Sequence, residues 1–382
     1  MFIFCIWISK FTNLVINLLK LGSGNTWPGH IALKVYPTLL HASYVDYKDG
    51  VILVAGTNGK TTTAKLISHI LRGNEFHVVN NKSGANLLNG IASAILLDFN
   101  LTGKTKSTVA VFEVDEFALP QAAQIFKPKA IVLLNLSRDQ LDRYGEVDTI
   151  LTKWKNALVN NNPTPTLIVD KTQNRFAPIL SSFKGSILFF EPNMQALQKT
   201  KLVGDFNAKN ISAALTVATL FNISAEKSLD SLQNFDAAYG RGEVINYQQK
   251  EFQLFLAKNP LSFNNNLDLF LSNVVNSKCI LFVLNDDPRD GRDVSWFYDV
   301  NAEKLKGVCA NKKIFVSGTR CYDFAVRLKY AGVNLEDAYV NVNLPELINN
   351  ISRIQSIERV LVLPNYSAML NVRKVLTGKQ IL

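Results

Sequence analysis

The chain has 382 residues, 47% of them apolar and 19% charged, so it can bury two cores of ordinary size and is too rich in Val, Ile, Leu and Phe for disorder. Lys and Arg outnumber Asp and Glu by 41 to 31, a net charge of +10 without any long run of one sign, which suits anionic small substrates or an anionic membrane surface. No zinc-finger, helix-turn-helix or RNP-like pattern is present, and no nucleic-acid partner is expected. Cys5, Cys279, Cys309 and Cys321 lack C-x-x-C spacing, which indicates free thiols and neither a disulfide framework nor structural zinc.

The opening stretch, MFIFCIWISKFTNLVINLLKLG, is apolar but interrupted by Lys10, and its uncharged runs are shorter than the roughly 18 residues of a membrane span. It predicts a helix that docks on the core or lies on a membrane. The expected location is the cytoplasm, with the inner face of the membrane as a second setting. GSGNTWPGHIALKVYP reads as an irregular connector leading to a short helix around Pro37 to Tyr44.

Val51 to Thr63, VILVAGTNGKTTT, is the organising stretch: a β-branched strand, a loop with Gly56 and Gly59, then a helix opened by Lys60 and Thr61. Glycines let backbone N–H groups turn toward an anion and the helix N-terminus adds partial positive charge. Lys60 can reach the β/γ-phosphates, and the Thr61 hydroxyl can ligate Mg²⁺. A short strand and a Gly-Ala-Asn turn follow in HVVNNKSGANLL. TVAVFEV then ends at Glu113-Val114-Asp115-Glu116, where a nucleotide-bound Mg²⁺ would need an oxygen ligand. AIVLLNL, TLIVD and SILFFE are further strand candidates, with Asp139, Asp142 and Arg143 in the polar turn after the first of them. LVGDFNAKNISAALTVATL has a turn before an alanine-rich helix.

FDAAYGRGEV has the glycines of a hinge, with Arg241 and Glu243, and the domain boundary is placed just after it. The expected units are 1–48, a helix and connector; 49–244, a nucleotide-binding domain with a parallel sheet; and 245–382, a smaller Rossmann-like α/β domain. In the last, FQLFLA, KCILFVLND, KIFVSG, YVNV and RVLVLP alternate with helical stretches.

The order GTNGKTTT, EVDE, NLSRDQLDRYGE, GDFNAKN, YGRGE resembles the Mur ligase superfamily, which joins an amine to a carboxylate through an acyl phosphate made from ATP. LAKNP, NDDPRDGRDVSWFYD, SGTRCYDFAVRLKYAG and LPNYSAML narrow the resemblance to its MurT group, the ligase-like subunits of lipid II isoglutaminyl synthases. The resemblance implies that Gly56, Thr57, Asn58, Gly59, Lys60, Thr61 and Thr62 surround the ATP phosphates, and that Thr61 and Glu113 share Mg²⁺. It further puts Asn86 near the γ-phosphate, Asn207 and Asn210 beside the adenine, and Arg241 on the nucleotide from the domain junction. The implied activity is amidation of the α-carboxyl of D-glutamate in a lipid II stem peptide, with ammonia from a GatD-type glutaminase partner.

By the same resemblance Asp293 in DGRDVSW completes the partner's triad by orienting its histidine, with Asp290 and Asp299 close enough to be confused with it. Three departures stand out. Residues 170–201 have no cysteine where the family has a zinc ribbon, Gln140 and Trp154 replace a histidine and a modified lysine tied to a second metal, and the first fifty residues leave no room for a domain that binds a UDP-linked substrate. A lipid-linked precursor is therefore expected. The alternatives are an amino-acid-adding Mur or folate-type ligase and a nucleic-acid-binding P-loop ATPase.

Overall fold

Two six-stranded sheets follow one another along the chain in the computed structural model, which describes residues 1–19, 25–41, 47–81, 84–137, 147–235, 240–272, 274–288, 290, 293, 295–334 and 338–379. The first comprises β1 (Gly50–Ala55), β2 (Val78–Asn80), β3 (Val109–Glu113), β4 (Ala130–Leu133), β5 (Thr166–Asp170) and β6 (Ile187–Phe190), in the order β2-β3-β1-β4-β5-β6. Every pairing in it is parallel. These strands read as unbroken apolar runs because both faces are covered. Val51 and Leu53 of β1 face one helical layer, and Ile52 and Val54 face the other, where they meet Ile67 and Ile70 of α3 (Lys60–Gly73). Each such fully buried side chain contributes about 1.5–3 kcal/mol. β1 lies between β3 and β4, so the connections leave in opposite directions and open a crevice above its C-terminal end.

The second sheet has the order β11-β10-β9-β12-β8-β7, built from β7 (Arg241–Tyr247), β8 (Lys250–Phe255), β9 (Cys279–Val283), β10 (Lys313–Ser317), β11 (Ala338–Val340) and β12 (Arg359–Pro364). All its pairs are parallel except β7 with β8. The architecture is therefore the expected one: a parallel P-loop sheet followed by a smaller Rossmann-like unit. The boundary lies elsewhere. β7 already belongs to the second sheet, so the changeover falls ahead of Arg241 and not between residues 244 and 245. The hairpin turn that makes this so is Gln248-Gln249, both at positive φ (47° and 63°), with Tyr247 paired to Lys250. Such a two-residue turn normally announces itself with Asn or Gly.

The N-terminal segment also differs from expectation. The predicted connector contains α2 (Trp27–Val35), with Pro28 in its first turn, and the described part of the expected helix beyond Pro37 holds a 3₁₀ turn at Leu39–His41, residues 42–44 lying outside the described residues. α2 packs closely on α4 (Leu88–Asp98): a Cβ on Gly29 would lie 2.0 Å from the Asn89 carbonyl, and the Gly29 N–H donates to Ser93 Oγ at 2.8 Å. The glycine is there for approach, not for a turn. α1 (Phe2–Leu19) lies against this pair with Cys5 and Ile6 fully buried.

Candidate active site

The loop between β1 and α3 is held rigid by its neighbours. Gly56 and Gly59 have φ of 139° and 89°, and a Cβ at either would come within 2.9 Å of Asn135 O or 2.5 Å of Asn210 Oδ1. Only glycine meets both the conformation and the space. Asn135, just after β4, clamps the loop: its carbonyl accepts from Thr57 N at 3.0 Å, its Oδ1 from Asn58 N at 2.9 Å, and its Nδ2 donates to Asn58 O at 2.9 Å. Thr57 Oγ1 donates to Ser137 O at 3.2 Å and accepts from Ser137 N at 3.0 Å. No side chain caps α3, so its first N–H groups stay open to an anion.

Lys60 is only 5% exposed; its Nζ donates to Gly56 O and, at 3.1 Å, to Glu116 Oε2. Glu116 is buried as well, and its Oε1 has no hydrogen-bond partner among the described residues. The lysine is thus pinned at the mouth of the loop by a carboxylate of the EVDE run. Thr61 Oγ1 donates to Glu113 Oε2 at 2.7 Å, and the Glu113 backbone is fixed by Asn81, which accepts from Glu113 N and donates to Glu113 O, both at 2.9 Å. A hydroxyl and a carboxylate held side by side at a strand end are hard oxygen donors of the type Mg²⁺ takes together with phosphate oxygens and water.

Asn86 sits beside them, its carbonyl accepting from Asp115 N at 3.0 Å. Thr62 is buried, and its hydroxyl has no hydrogen-bond partner among the described residues. Asn210 Oδ1 accepts from Thr63 Oγ1 at 3.2 Å, and its Nδ2 donates at 3.2 Å to Asn207 Oδ1, whose own Nδ2 donates to Val203 O at 2.8 Å. The two asparagines therefore brace α3 against the helix Asp205–Thr219. Arg241 enters from the second sheet. Burial pushes its guanidinium pKa down while the charge of Glu113 works the other way, and the same carboxylate and Arg241 act in opposite senses on Lys65, lowered chiefly by burial. A cavity of about 650 Å³ lies between the domains. Asn58, Gly59, Asn210 and Arg241 form part of its polar lining, and Phe190 and Leu202 part of its apolar lining. That mixture suits a base and ribose with phosphates at one end.

Trp154, at the position of the family's modified lysine, is fully buried and donates Nε1–H to Glu116 O at 2.7 Å, so it serves the core and the EVDE turn. Asp139, Gln140, Asp142 and Arg143 lie outside the described residues. The three carboxylates near DGRDVSW separate clearly. Asp290 is buried and accepts from Ser367 N at 2.9 Å and from Ser367 Oγ; burial raises its pKa against those hydrogen bonds. Asp293 is exposed and accepts from Ser295 N at 2.8 Å. Asp299 is exposed at the end of the 3₁₀ turn Ser295–Asp299.

Sequence reasoning gave no role to Asn135 or Asn259, and it grouped Glu116 with the strand-end carboxylates offered to Mg²⁺, where the structure pairs it with Lys60. Asn135 could have been found from its place at a strand end. The pairing of Glu116 with Lys60 and of Asn259 with the loop is tertiary and leaves no local mark.

Comparison with known proteins agrees with this geometry. Residues 54–189 match the Mur ligase middle domain and residues 256–369 the MurT ligase C-terminal domain. The chain is 28% identical over 374 residues to the lipid II isoglutaminyl synthase (glutamine-hydrolyzing) subunit MurT of Staphylococcus aureus strain COL, covering 82% of this chain and 84% of that one. It is 27% identical to the subunit of the same name from Streptococcus pneumoniae strain ATCC BAA-255 / R6, covering 95% of each. In fold it is similar to MurF from Acinetobacter baumannii (TM-score 0.69, 19% identity, 91% of this chain and 80% of that one). It is likewise similar to folylpolyglutamate synthase from Mycobacterium tuberculosis, solved with ADP and AMPPCP (TM-score 0.67, 13% identity, 97% and 98%).

A phosphate loop whose lysine meets Glu116 and whose threonine meets Glu113, next to an interdomain cavity and on a Mur ligase-like fold, is the arrangement of an ATP-dependent ligase. The second domain is of a narrower kind: its residues 256–369 match the MurT ligase C-terminal domain, and over most of its length the chain is similar to subunits named MurT.

Proposed function

We propose that this chain is the ATP-using subunit of a glutamine-hydrolysing amidotransferase that converts the α-carboxyl of D-glutamate, in the stem peptide of a lipid II-type precursor, to the amide. The observation that carries the reading is the pairing of a complete phosphate loop with a MurT C-terminal domain in one chain. The relatives' name, lipid II isoglutaminyl synthase (glutamine-hydrolyzing), supports the substrate and the nitrogen source.

In this reading ATP lies in the interdomain cavity with its phosphates on the loop N–H groups and the N-terminus of α3. A carboxylate oxygen of the substrate attacks the γ-phosphorus, the bond to ADP breaks, and an acyl phosphate results. Ammonia then attacks the carbonyl carbon, phosphate leaves, and a proton is lost from nitrogen. Lys60 and Arg241 neutralise charge on the transferring group. Thr61 and Glu113 would hold Mg²⁺, which when bound spreads that charge further. The ammonia comes from a GatD-type glutaminase partner, to which exposed Asp293 lends a carboxylate that orients the partner's histidine.

The test is to supply ATP and a lipid-linked precursor, with either ammonium, glutamine plus a glutaminase of this type, or free amino acids. Replacement of one hydroxyl by an amino group on the D-glutamate, seen by mass spectrometry with the first two nitrogen sources, is the expected result. Product formed only with a free amino acid would instead indicate an amino-acid-adding ligase.

A further inference from the structure

α1 has two apolar faces, and only one is used by the fold. Phe2, Cys5, Ile6, Ser9 and Ile16 are buried. Phe2 meets Phe99 edge-on at 5.0 Å, Ser9 Oγ donates to Pro28 O at 3.3 Å, and Lys10 Nζ donates to Leu97 O at 3.1 Å. On the opposite face Phe4, Trp7, Phe11, Leu14 and Leu18 recur at alternating intervals of three and four residues, which sets them in one row along a helix of about 27 Å. They are 51%, 54%, 67%, 55% and 72% exposed. Five large apolar side chains in one exposed row call for an apolar medium or partner.

We propose that this face seats the protein on an anionic lipid bilayer, with α1 lying in the interface. Three observations choose lipid over protein. Exposed charge beside the row is basic: Lys34 on α2 and Lys104 and Lys106 in the loop beside α1 are exposed, while Asp98, the acid that meets this loop, is half-buried and accepts from Thr105 Oγ1 and Ser107 Oγ. Such lysines complement acidic headgroups. That loop is held to the helix because Trp7 Nε1–H donates to Leu101 O at 2.9 Å, and Leu101, 60% exposed, extends the apolar surface. With its one donor already satisfied, the Trp7 ring can enter the headgroup and acyl boundary without leaving a polar group unpaired. Trp27 on α2 is also exposed, and tryptophan is the side chain favoured at that depth.

By length and composition α1 could cross a membrane. Its buried face, however, is tied to α2, α4 and the segment after α4, so spanning would strip Cys5 and Ile6 from the core. Lying flat keeps those contacts and immerses the other face. The arrangement would bring the nucleotide domain to the surface that holds a lipid-linked substrate. That consequence rests on the reading above, but the docking itself does not.

The experiment is flotation of the full chain with phosphatidylcholine vesicles, with and without phosphatidylglycerol. Co-flotation with the anionic vesicles that weakens with salt is expected. Phe11→Glu/Leu14→Glu should reduce it at least tenfold without changing Tm or the ATP-dependent reaction on a water-soluble precursor analogue, and Lys104→Glu/Lys106→Glu should reduce it several-fold. A wild-type chain that stays at the bottom of the gradient overturns the proposal, as does a Phe11→Glu/Leu14→Glu variant that floats equally well. So does sedimentation showing that those two substitutions only dissolve a dimer or release a bound protein. Loss of amidation with flotation intact would count against the assigned reaction and leave the docking standing.

Discussion

Asn58 of the phosphate loop and Asn259 of the second domain, 201 residues apart in the chain, exchange a reciprocal pair of amide hydrogen bonds. Asn58 Nδ2 donates to Asn259 Oδ1 at 3.3 Å, and Asn259 Nδ2 donates to Asn58 Oδ1 at 3.2 Å. Asn259 is fully buried and also caps the helix Pro260–Leu271, its Oδ1 accepting from Ser262 N at 2.8 Å while Ser262 Oγ accepts from Asn259 N. One residue thus starts a helix in one domain and touches the nucleotide loop of the other, which couples the position of the second domain to the state of the loop.

The two roles can be separated. Asn259→Ser keeps a capping oxygen and removes the amide exchange; we expect near-wild-type thermal stability with a several-fold rise in KM for ATP. Asn259→Ala loses the cap as well and should cost a further ~1 kcal/mol. Equal melting temperatures for the two variants would show that the cap contributes nothing.

Lys60 carries a second double role. Lys60→Ala should lower ATP turnover by roughly two to three orders of magnitude, since removal of one preorganised contact to the transferring group costs about 3 kcal/mol at the transition state. It should also destabilise the fold, because Glu116 would be left buried without its cation, and breaking one side of a buried pair costs about 3–5 kcal/mol. Lys60→Ala/Glu116→Gln is expected to recover much of that stability in denaturant titrations while remaining as slow as the single variant. If the single variant is as stable as wild type, the pair does not hold the loop.

How much of this could be read from the chain depends on where each signal lies. Strands such as TLIVD and RVLVLP are buried on both faces, so their identity is written locally as apolar runs. β7 is an antiparallel edge strand with exposed Val244, and its turn at Gln248-Gln249 carries no glycine, so nothing local marked it. α2 was hidden by Pro28 and Gly29, which serve as a first-turn residue and a contact point with α4. In the site, the loop glycines, Lys60, Thr61 and Glu113 were legible because their chemistry is tied to short spacing. The partners that hold them, Asn135, Glu116 and Asn259, come from other strands or the other domain.

The cysteines give a pH-dependent test. All four are buried, in three separate cores, and burial pushes the thiols of Cys279 and Cys309 up to about 12. A thiol whose folded pKa is raised contributes stability that is complete below its unfolded value of about 8.5 and is lost as pH rises toward the folded one. Stability should therefore fall between about pH 9 and pH 12, and a thiol reagent at pH 8 should label all four only after denaturation. Elemental analysis should find no stoichiometric zinc, since thiolates from three cores cannot meet on one ion. Rapid labelling of the native protein, or a zinc ion per chain, would contradict this.

The carboxylates of the second domain allow the sharpest separation of fold from reaction. Asp290 accepts two hydrogen bonds from Ser367 inside the protein, so Asp290→Asn sets an amide donor against a hydroxyl or an N–H and should destabilise the domain by about 1–3 kcal/mol. Ammonia-dependent and glutamine-dependent amidation should then fall together, in step with Tm. Asp293 is exposed, and the hydrogen bond its Oδ1 accepts from Ser295 N is one that an asparagine Oδ1 can accept as well. Asp293→Asn should leave Tm and the ammonia-dependent reaction unchanged. It would remove the negative charge offered to the partner's histidine, a change that lowers turnover by about four orders of magnitude in a Ser-His-Asp hydrolase. Asp299→Asn serves as the control for surface charge and should affect neither reaction. If Asp299→Asn disables the glutamine-dependent reaction and Asp293→Asn does not, the triad carboxylate is Asp299, the last residue of the 3₁₀ turn Ser295–Asp299.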